Sequence, residues 1–467
     1  MEKKPYPICC LGAGYVGVPT MAVICEKNPD IKATVFDVDE KRIAAWKSEN
    51  LPFYEPDLED IIKAKRDKSL FFSTDAEKSI NEADLIYICV GTPTKTTGIG
   101  AGMGTNLTYI ESTARMIAKY SKTNKIIVEK STVPVQTSSY LEKVLKANAQ
   151  PNVTFEILSN PEFMAEGSAI RDLRKPDRVV IGGKDTESAQ KAIEILKKIY
   201  CWVDDKQIVT TNLFSSELIK LTANAFLAQR VSSINAIAEV AEVTGANVHE
   251  IARGIGLDSR IGPKFLGAGI GFGGSCFQKD LFNLIYLCEW FNLKEVVAYW
   301  KQVVIMNDHQ RKRFVMKILN KMFNNITSKK ISVLGFAFKK DTSDTRESPA
   351  IYISDYLIKE GAHLSIYDPK ATKETILRDL QALTPNVNLE KQVTVVSNAQ
   401  DSIKESHAIL ILTDWDEFKE LNLAETYKIM EKPAYIFDGR NVIDQKEARK
   451  IGFETYSVGT PLIYNSD

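Results

Sequence analysis

Ten residues, Gly271-Phe272-Gly273-Gly274-Ser275-Cys276-Phe277-Gln278-Lys279-Asp280, set a thiol, an ammonium and a carboxylate beside three glycines. Glycines let backbone approach a ligand closely, because no Cβ intervenes. The residues after them predict a helix start, with Ser275 as cap and Gln278 completing a capping box. Cys276 then falls in the first turn, where the positive end of the helix dipole favours a thiolate. Asp280, four residues on, shares its face. A thiolate beside a carboxylate points to covalent chemistry at an electrophilic carbon; the other reading is a packing cysteine behind a glycine turn. A second pair, Lys220 and Asn224, projects from one face of an apolar helical run. An ammonium and an amide can donate to a developing oxyanion, or simply be solvated. Glu162 follows Asn160-Pro161, a turn that aims its carboxylate over a strand end.

The elements that must position these groups begin with Pro7–Leu11, an apolar strand running into Gly12-Ala13-Gly14-Tyr15-Val16-Gly17 and a helix to about Glu26. A second strand, Ala33–Phe36, ends at Asp37, twenty residues after Gly17. Gly12 permits the tight turn, Gly14 admits a pyrophosphate, and Gly17 lets helix and strand pack closely. The phosphates sit on the helix N-terminus. The Asp37 carboxylate can take both ribose hydroxyls and repels a 2′-phosphate, which favours NAD over NADP; Arg42 nearby is a counter-signal. Further strands, Leu85–Val90, Lys125–Glu129 and Phe155–Leu158, lead into Gly91-Thr92-Pro93-Thr94, Lys130-Ser131-Thr132 and the Glu162 turn. Ligands of open parallel sheets bind at such ends, though Thr92, Ser131 and Thr132 also suit ordinary turns. Arg178–Gly182 and Gln207–Thr210 close this half.

From about Ser215 the pattern turns helical, with a long run to about Val243 stopped by Gly245, and another from Leu281 to Phe323 broken near Asn292. Between them, Arg260 and Lys264 could meet phosphates and Phe265 could cover a base or sugar. A second α/β half follows. Lys330–Gly335 repeats the first strand and glycine, and His363–Tyr367 ends at Asp368. Its loop, Gly335-Phe336-Ala337-Phe338-Lys339-Lys340-Asp341, lacks the full glycine pattern and suits the base and phosphate of another ligand. Lys339, Arg346 and Arg440 at strand ends favour an anion.

Sixty basic and sixty acidic residues cancel among 467. A net charge of zero argues against a nucleic-acid or membrane-surface binder. No secretory segment or bilayer-length apolar run is evident, so the expectation is a soluble, cytoplasmic protein. Seven cysteines without a C-x-x-C pair and four scattered histidines predict no metal site.

Several stretches together resemble the UDP-glucose/GDP-mannose dehydrogenase family of nucleotide-sugar dehydrogenases over essentially the whole chain. They are the opening Gly-Ala-Gly-Tyr-Val-Gly, Glu129–Pro134, Asn160–Phe163, Lys220–Phe226, Gly271–Asp280, Phe336–Lys339 and Phe437–Arg440. The resemblance implies two Rossmann-like, doubly wound parallel-sheet domains joined by a central helical domain: an NAD-binding domain at 1–212, a helical dimerisation domain at 213–325 and a UDP-binding domain at 326–467. It implies a four-electron oxidation of a sugar C6 alcohol to an acid, with UDP-glucose as substrate and two NAD consumed. In that scheme Cys276 carries a thiohemiacetal and then a thioester. Asp280 with a water, or Lys220, takes protons. Lys220 and Asn224 stabilise oxyanions, and Glu162 with Thr132 serves the hydrolytic water. It also implies NAD contacts from Gly12, Gly14, Tyr15, Val16, Gly17, Asp37, Arg42, Val90, Thr92, Thr94, Ser131, Glu166, Lys279 and Arg346. The sugar nucleotide would be held by Glu162, Lys220, Asn224, Arg260, Phe265, Gly273, Phe338, Lys339 and Arg440. Arg260 would be contributed across the interface of a homo-oligomer with a dimer as building block and a hexamer among its possible assemblies. Gly267 stands where close animal members usually have Lys. Three alternatives stay open: a dehydrogenase for UDP-N-acetylmannosamine or GDP-mannose, a two-electron hydroxyacid dehydrogenase with a structural Cys276, and a sensor that binds without turnover.

Overall fold

The computed structural model describes residues 6–461. The chain divides into two compact units: Met1–Ala223 with Phe282–Phe291, and Asn224–Leu281 with Asn292–Asp467. The central helical stretch is shared between them.

The first unit carries an eight-stranded sheet in the order β3-β2-β1-β4-β5-β6-β7-β8. Its strands are β1 (Tyr6–Leu11), β2 (Ile31–Phe36), β3 (Leu70–Ser73), β4 (Leu85–Ile88), β5 (Lys125–Glu129), β6 (Phe155–Ser159), β7 (Val179–Gly182) and β8 (Ile208–Thr211). Every pairing is parallel except one antiparallel contact, Ser159 with Gly182, where β6 meets β7. Alternation along the strands explains why both faces are covered. Ile8, Cys10, Leu85 and Tyr87 enter one apolar cluster, and Cys9, Leu11, Ile86 and Ile88 enter the other.

The second unit's sheet has six parallel strands in the order β11-β10-β9-β12-β13-β14. They are β9 (Lys330–Leu334), β10 (His363–Tyr367), β11 (Val393–Val395), β12 (Ala408–Ile411), β13 (Tyr435–Asp438) and β14 (Glu454–Ser457). Strand for strand, this order repeats β3-β2-β1-β4-β5-β6 of the first sheet, the dinucleotide-fold topology.

The Leu213–Thr244 helix ends at Gly245, whose φ of +79° suits glycine. The Phe277–Trp290 and Lys294–Lys321 helices are separated at Asn292, a left-handed residue at φ +56°. In the second unit, Glu242 near the end of the first of these helices pairs at 2.7 Å with Arg313 of the last, and accepts from Tyr456 Oη of β14 at 2.9 Å.

Candidate active site

Within the first unit the glycine loop is built as its residue types require. Gly12 has φ +116°, and a Cβ there would lie 2.4 Å from the Cys89 carbonyl oxygen. A Cβ on Gly17 would lie 2.1 Å from the Gly12 carbonyl oxygen and 2.9 Å from Cys10 Sγ. A Cβ on Gly14 would meet nothing within 4 Å. That open side is where a pyrophosphate can come against bare backbone, so these residues fit NAD. The Gly17–Lys27 helix starts directly beneath. Asp37, at the end of β2, accepts from Ala13 N at 2.9 Å and pairs with Arg42 Nη1 at 3.1 Å. Arg42 is therefore engaged with the acid itself. Tyr15 stacks on Phe53 with centroids 3.8 Å apart, which fixes the tip of the loop.

The ends of β4 and β5 are laced together. Thr92 Oγ1 donates to the Thr132 carbonyl at 2.8 Å. Ser131 Oγ donates to the Val90 carbonyl at 2.9 Å. Thr94 bridges Thr105 in one isolated antiparallel pair. Thr132 is half-buried, as is Glu166. Glu166 precedes Gly167, whose N–H donates to Glu55 Oε2 at 2.8 Å.

Glu162 meets the sheet end as its Pro-fixed turn predicts. Its Oε1 accepts from Phe163 N at 2.8 Å and Met164 N at 3.0 Å. Its Oε2 lies 2.9 Å from Lys130 Nζ. Burial pushes this carboxyl up, but Lys130 and the two amides outweigh it and hold it below the usual carboxylate range. Lys130 and Tyr200, which completes this cluster, are absent from the sequence-derived site. Lys130 sits in one of the signature stretches, but nothing in the sequence pairs it with Tyr200, seventy residues on. Lys220 is buried, with Nζ 5.4 Å from the Phe163 ring centroid.

In the second unit the thiol stands one residue earlier than the sequence pattern predicts. The helix begins at Phe277, and the Cys276 carbonyl accepts from Asp280 N at 2.9 Å, so Cys276 occupies the cap position and not the first turn. The reason is the left-handed Gly274, φ +87°, which delays the helix by a residue. Cys276 is exposed, and its Sγ lies 3.4 Å from Ser275 Oγ. Asp280, in the first turn, is fully buried; Asn224 Nδ2 donates to its Oδ2 at 2.6 Å and Lys279 Nζ donates to its Oδ1 at 2.7 Å. The expected oxyanion donor Asn224 is thus held by the expected proton acceptor.

The glycine turn packs on the loops expected to hold the sugar nucleotide. Gly274 N donates to the Arg346 carbonyl at 2.9 Å. A Cβ on Gly274 would stand 2.9 Å from the Phe338 ring, and one on Gly273 would lie 2.4 Å from the Glu347 carbonyl oxygen. Arg440 donates through Nε to the Leu412 carbonyl at 2.8 Å and through Nη2 to that of Phe338 at 3.1 Å. Lys339 Nζ is 5.5 Å from the Phe338 ring centroid. Arg346 grips Asp344 with two contacts of 2.8 Å. Two expected residues stand apart from this cluster: the Arg260 side chain is 87% exposed and bonded to Asp258, and Phe265, half exposed at φ +63°, is tilted against Phe277 at 6.2 Å. A Cβ on Gly267 would meet nothing within 4 Å, so a side chain there has room.

The second sheet's first loop is tied to the acid at the end of its second strand. Asp368, the counterpart of Asp37, accepts from Phe336 N, Ala337 N and Trp415 Nε1 through one oxygen and from Lys370 N and Ala371 N through the other. A Cβ on Gly335 would lie 2.4 Å from Thr413 Cβ. The two loops differ one step further on: where the first has the open Gly14, the second has Ala337, fully buried.

An open glycine cradle with an acid at the end of the second strand, and an exposed thiol at the start of a helix whose first turn carries a buried carboxylate, suit a dinucleotide-dependent oxidoreductase. The chain belongs to the UDP-glucose/GDP-mannose dehydrogenase family: its NAD binding domain matches residues 6–203, its central domain 214–309 and its UDP binding domain 332–445. UDP-glucose 6-dehydrogenase 3 of Oryza sativa subsp. japonica is 55% identical over 469 residues, 97% of each chain. UDP-glucose 6-dehydrogenase 2 of Arabidopsis thaliana is 54% identical over the same length, again 97% of each. Among solved structures, a UDP-glucose dehydrogenase from the archaeon Pyrobaculum islandicum matches with a TM-score of 0.82 at 29% identity, covering 97% of this chain and 99% of that one. Among the described residues no helix is long and apolar enough to cross a membrane.

Proposed function

We propose that this chain oxidises the C6 alcohol of UDP-glucose to the carboxylate of UDP-glucuronate, through a thioester on Cys276. The observation that carries the reading is the exposed thiol at a helix start, its glycine turn seated against the Phe338 loop. Bound NAD supplies the hydride acceptor, twice per sugar. The chain's residues do the rest. Asp280 with a water, or Lys220, takes the hydroxyl proton as the alcohol becomes an aldehyde. An aldehyde holds no hydride in the right form for a second oxidation; addition of the Cys276 sulfur at C6 creates one as a thiohemiacetal. Lys220 and Asn224 stabilise the oxyanions, each such donor worth about 10²–10³ in rate. The oxidised adduct is a thioester, and Glu162, with Thr132, serves the water that cleaves it.

The 213–325 helical stretch is assigned to subunit pairing and 326–467 to the UDP moiety, with Arg260 reaching the substrate of a neighbouring copy. Support comes from apolar side chains left exposed on the long helices, Phe226, Val240 and Val243 on one and Tyr299 and Ile305 on another. The cytoplasm supplies both substrates.

Nucleotide sugars tested with NAD will give two NADH per UDP-glucose consumed. One NADH per sugar, or turnover of GDP-mannose in preference, overturns the reading.

A further inference from the structure

Lys130 is an ammonium in an almost dry place, its side chain 2% exposed. Four oxygens surround it: Glu162 Oε2 at 2.9 Å, Asn160 Oδ1 at 3.1 Å, Tyr200 Oη at 3.2 Å and the Asn160 carbonyl at 3.4 Å. Those partners are themselves fixed. Tyr200 Oη donates to Asn160 Oδ1 at 2.7 Å, and Asn160 Nδ2 donates to the Val180 carbonyl at 2.7 Å. A buried ion pair is a poor device for stability alone, because desolvating two charges offsets most of their attraction. It does keep one carboxylate in one place and one protonation state.

We propose that Lys130 is a positioning residue for thioester hydrolysis, acting through its ion pair with Glu162, and that Asn160 and Tyr200 hold the ammonium to that task. The proposal rests on the thioester reading above. In the step concerned, the water oxygen bonds to the acyl carbon and the carbon–sulfur bond breaks. The electron pair returns to Cys276, and the proton passes to Glu162 and on to solvent. Glu162 must be a carboxylate for this. Burial works against that form, and Lys130 is the largest influence opposing burial. The other groups facing this corner are Tyr200, Arg178, whose guanidinium lies 3.9 Å from the Phe163 ring centroid, and Lys220 near the same ring. Neither Arg178 nor Lys220 makes a direct contact with the Glu162 oxygens among the described residues. Without Lys130, burial dominates and the carboxyl protonates at higher pH.

The full-length enzyme is given UDP-glucose and NAD and quenched with acid, and intact mass follows the acyl adduct on Cys276 between about pH 5 and 9. Lys130→Met is expected to slow adduct decay about 10²-fold near neutrality and to move its acid limb to higher pH. Release of the first NADH is expected to slow far less than adduct decay, and Lys130→Arg restores most of the decay. A folded Lys130→Met with the parent's decay rate and acid limb overturns the proposal. Should that variant not fold, Tyr200→Phe decides. It removes one oxygen from the ammonium and is expected to move the limb the same way by less; an unmoved limb overturns the proposal. Glu162→Gln separates the two levels. If it accumulates no adduct, the thioester reading has failed; if it does while the lysine and tyrosine variants match the parent, only the role of Lys130 has.

Discussion

Sulfur and oxygen differ in what they do after adding to an aldehyde. A hemiacetal of serine collapses readily and its oxidised form is an ordinary ester, whereas a thiolate adds well and leaves well. Cys276→Ser is therefore expected to bind NAD as the parent does and to lose acid formation by at least about 10³-fold. Isothermal titration with NAD and an assay of UDP-glucuronate check the two halves separately; full turnover by the variant would defeat the covalent scheme. At this scale the sequence was informative where chemistry is local and silent where it is not. Cys276, Lys279 and Asp280 lie within five positions, and Lys220 and Asn224 within one helical turn, so spacing alone places each group beside its neighbours. Lys130, Asn160 and Tyr200 come from three separate turns after strands and helices. Only the tertiary fold makes them one cluster, and no periodicity announces it. The bond between Asn224 and Asp280, which crosses from one helix to the start of another, was equally hidden.

Single elements carry the glycine logic, and the three glycines of the first loop separate stability from binding. Gly17→Ala would drive a methyl to 2.1 Å from a backbone oxygen that has no room to retreat. It is expected to cost about 1–3 kcal/mol, as overpacking does, read as a lowered urea midpoint at unchanged slope. Gly14→Ala puts its methyl into open space, so the urea midpoint is expected to stay at the parent's within error while NAD affinity falls at least about tenfold. An unchanged NAD affinity in that variant would remove the pyrophosphate from this loop. Elements with a strong pattern were legible from the sequence: β1, β2, β5, the helix stop at Gly245 and the break at Asn292. β3, β11 and β14 were not. They are three or four residues long, and their neighbours in the sheet, more than their own composition, make them strands. The Phe277–Trp290 helix starts one residue later than a Ser275–Gln278 capping box predicts, after a turn that holds the left-handed Gly274.

For the molecule as a whole, the repeated strand order means one architecture was used twice, and the fates of Asp37 and Asp368 show how the copies diverged. Both acids accept from their own loop, Asp37 from Ala13 N and Asp368 from Phe336 N and Ala337 N, but Asp37 also pairs with Arg42 whereas Asp368 also accepts from Trp415 Nε1. The remaining whole-molecule question is whether each site is completed by a second copy. Arg260 bears on it directly, because its guanidinium is exposed and, among the described residues, bonds to Asp258 and to no substrate-loop residue. If a neighbouring copy supplies it, two dead variants can repair each other. Arg260→Ala keeps its own Cys276 and lacks the donor; Cys276→Ser lacks the nucleophile and keeps the donor. In a two-fold pair each site would take its thiol from one copy and its arginine from the other, so a mixed pair contains one intact site. Unfolding and refolding the two variants together in equal amounts is then expected to recover about a quarter of the parent's sites, half the pairs being mixed with one good site in each. Activity no greater than the sum of the two variants alone, with co-purification of differently tagged copies showing that mixed oligomers had formed, would place Arg260 on the substrate of its own chain or on none.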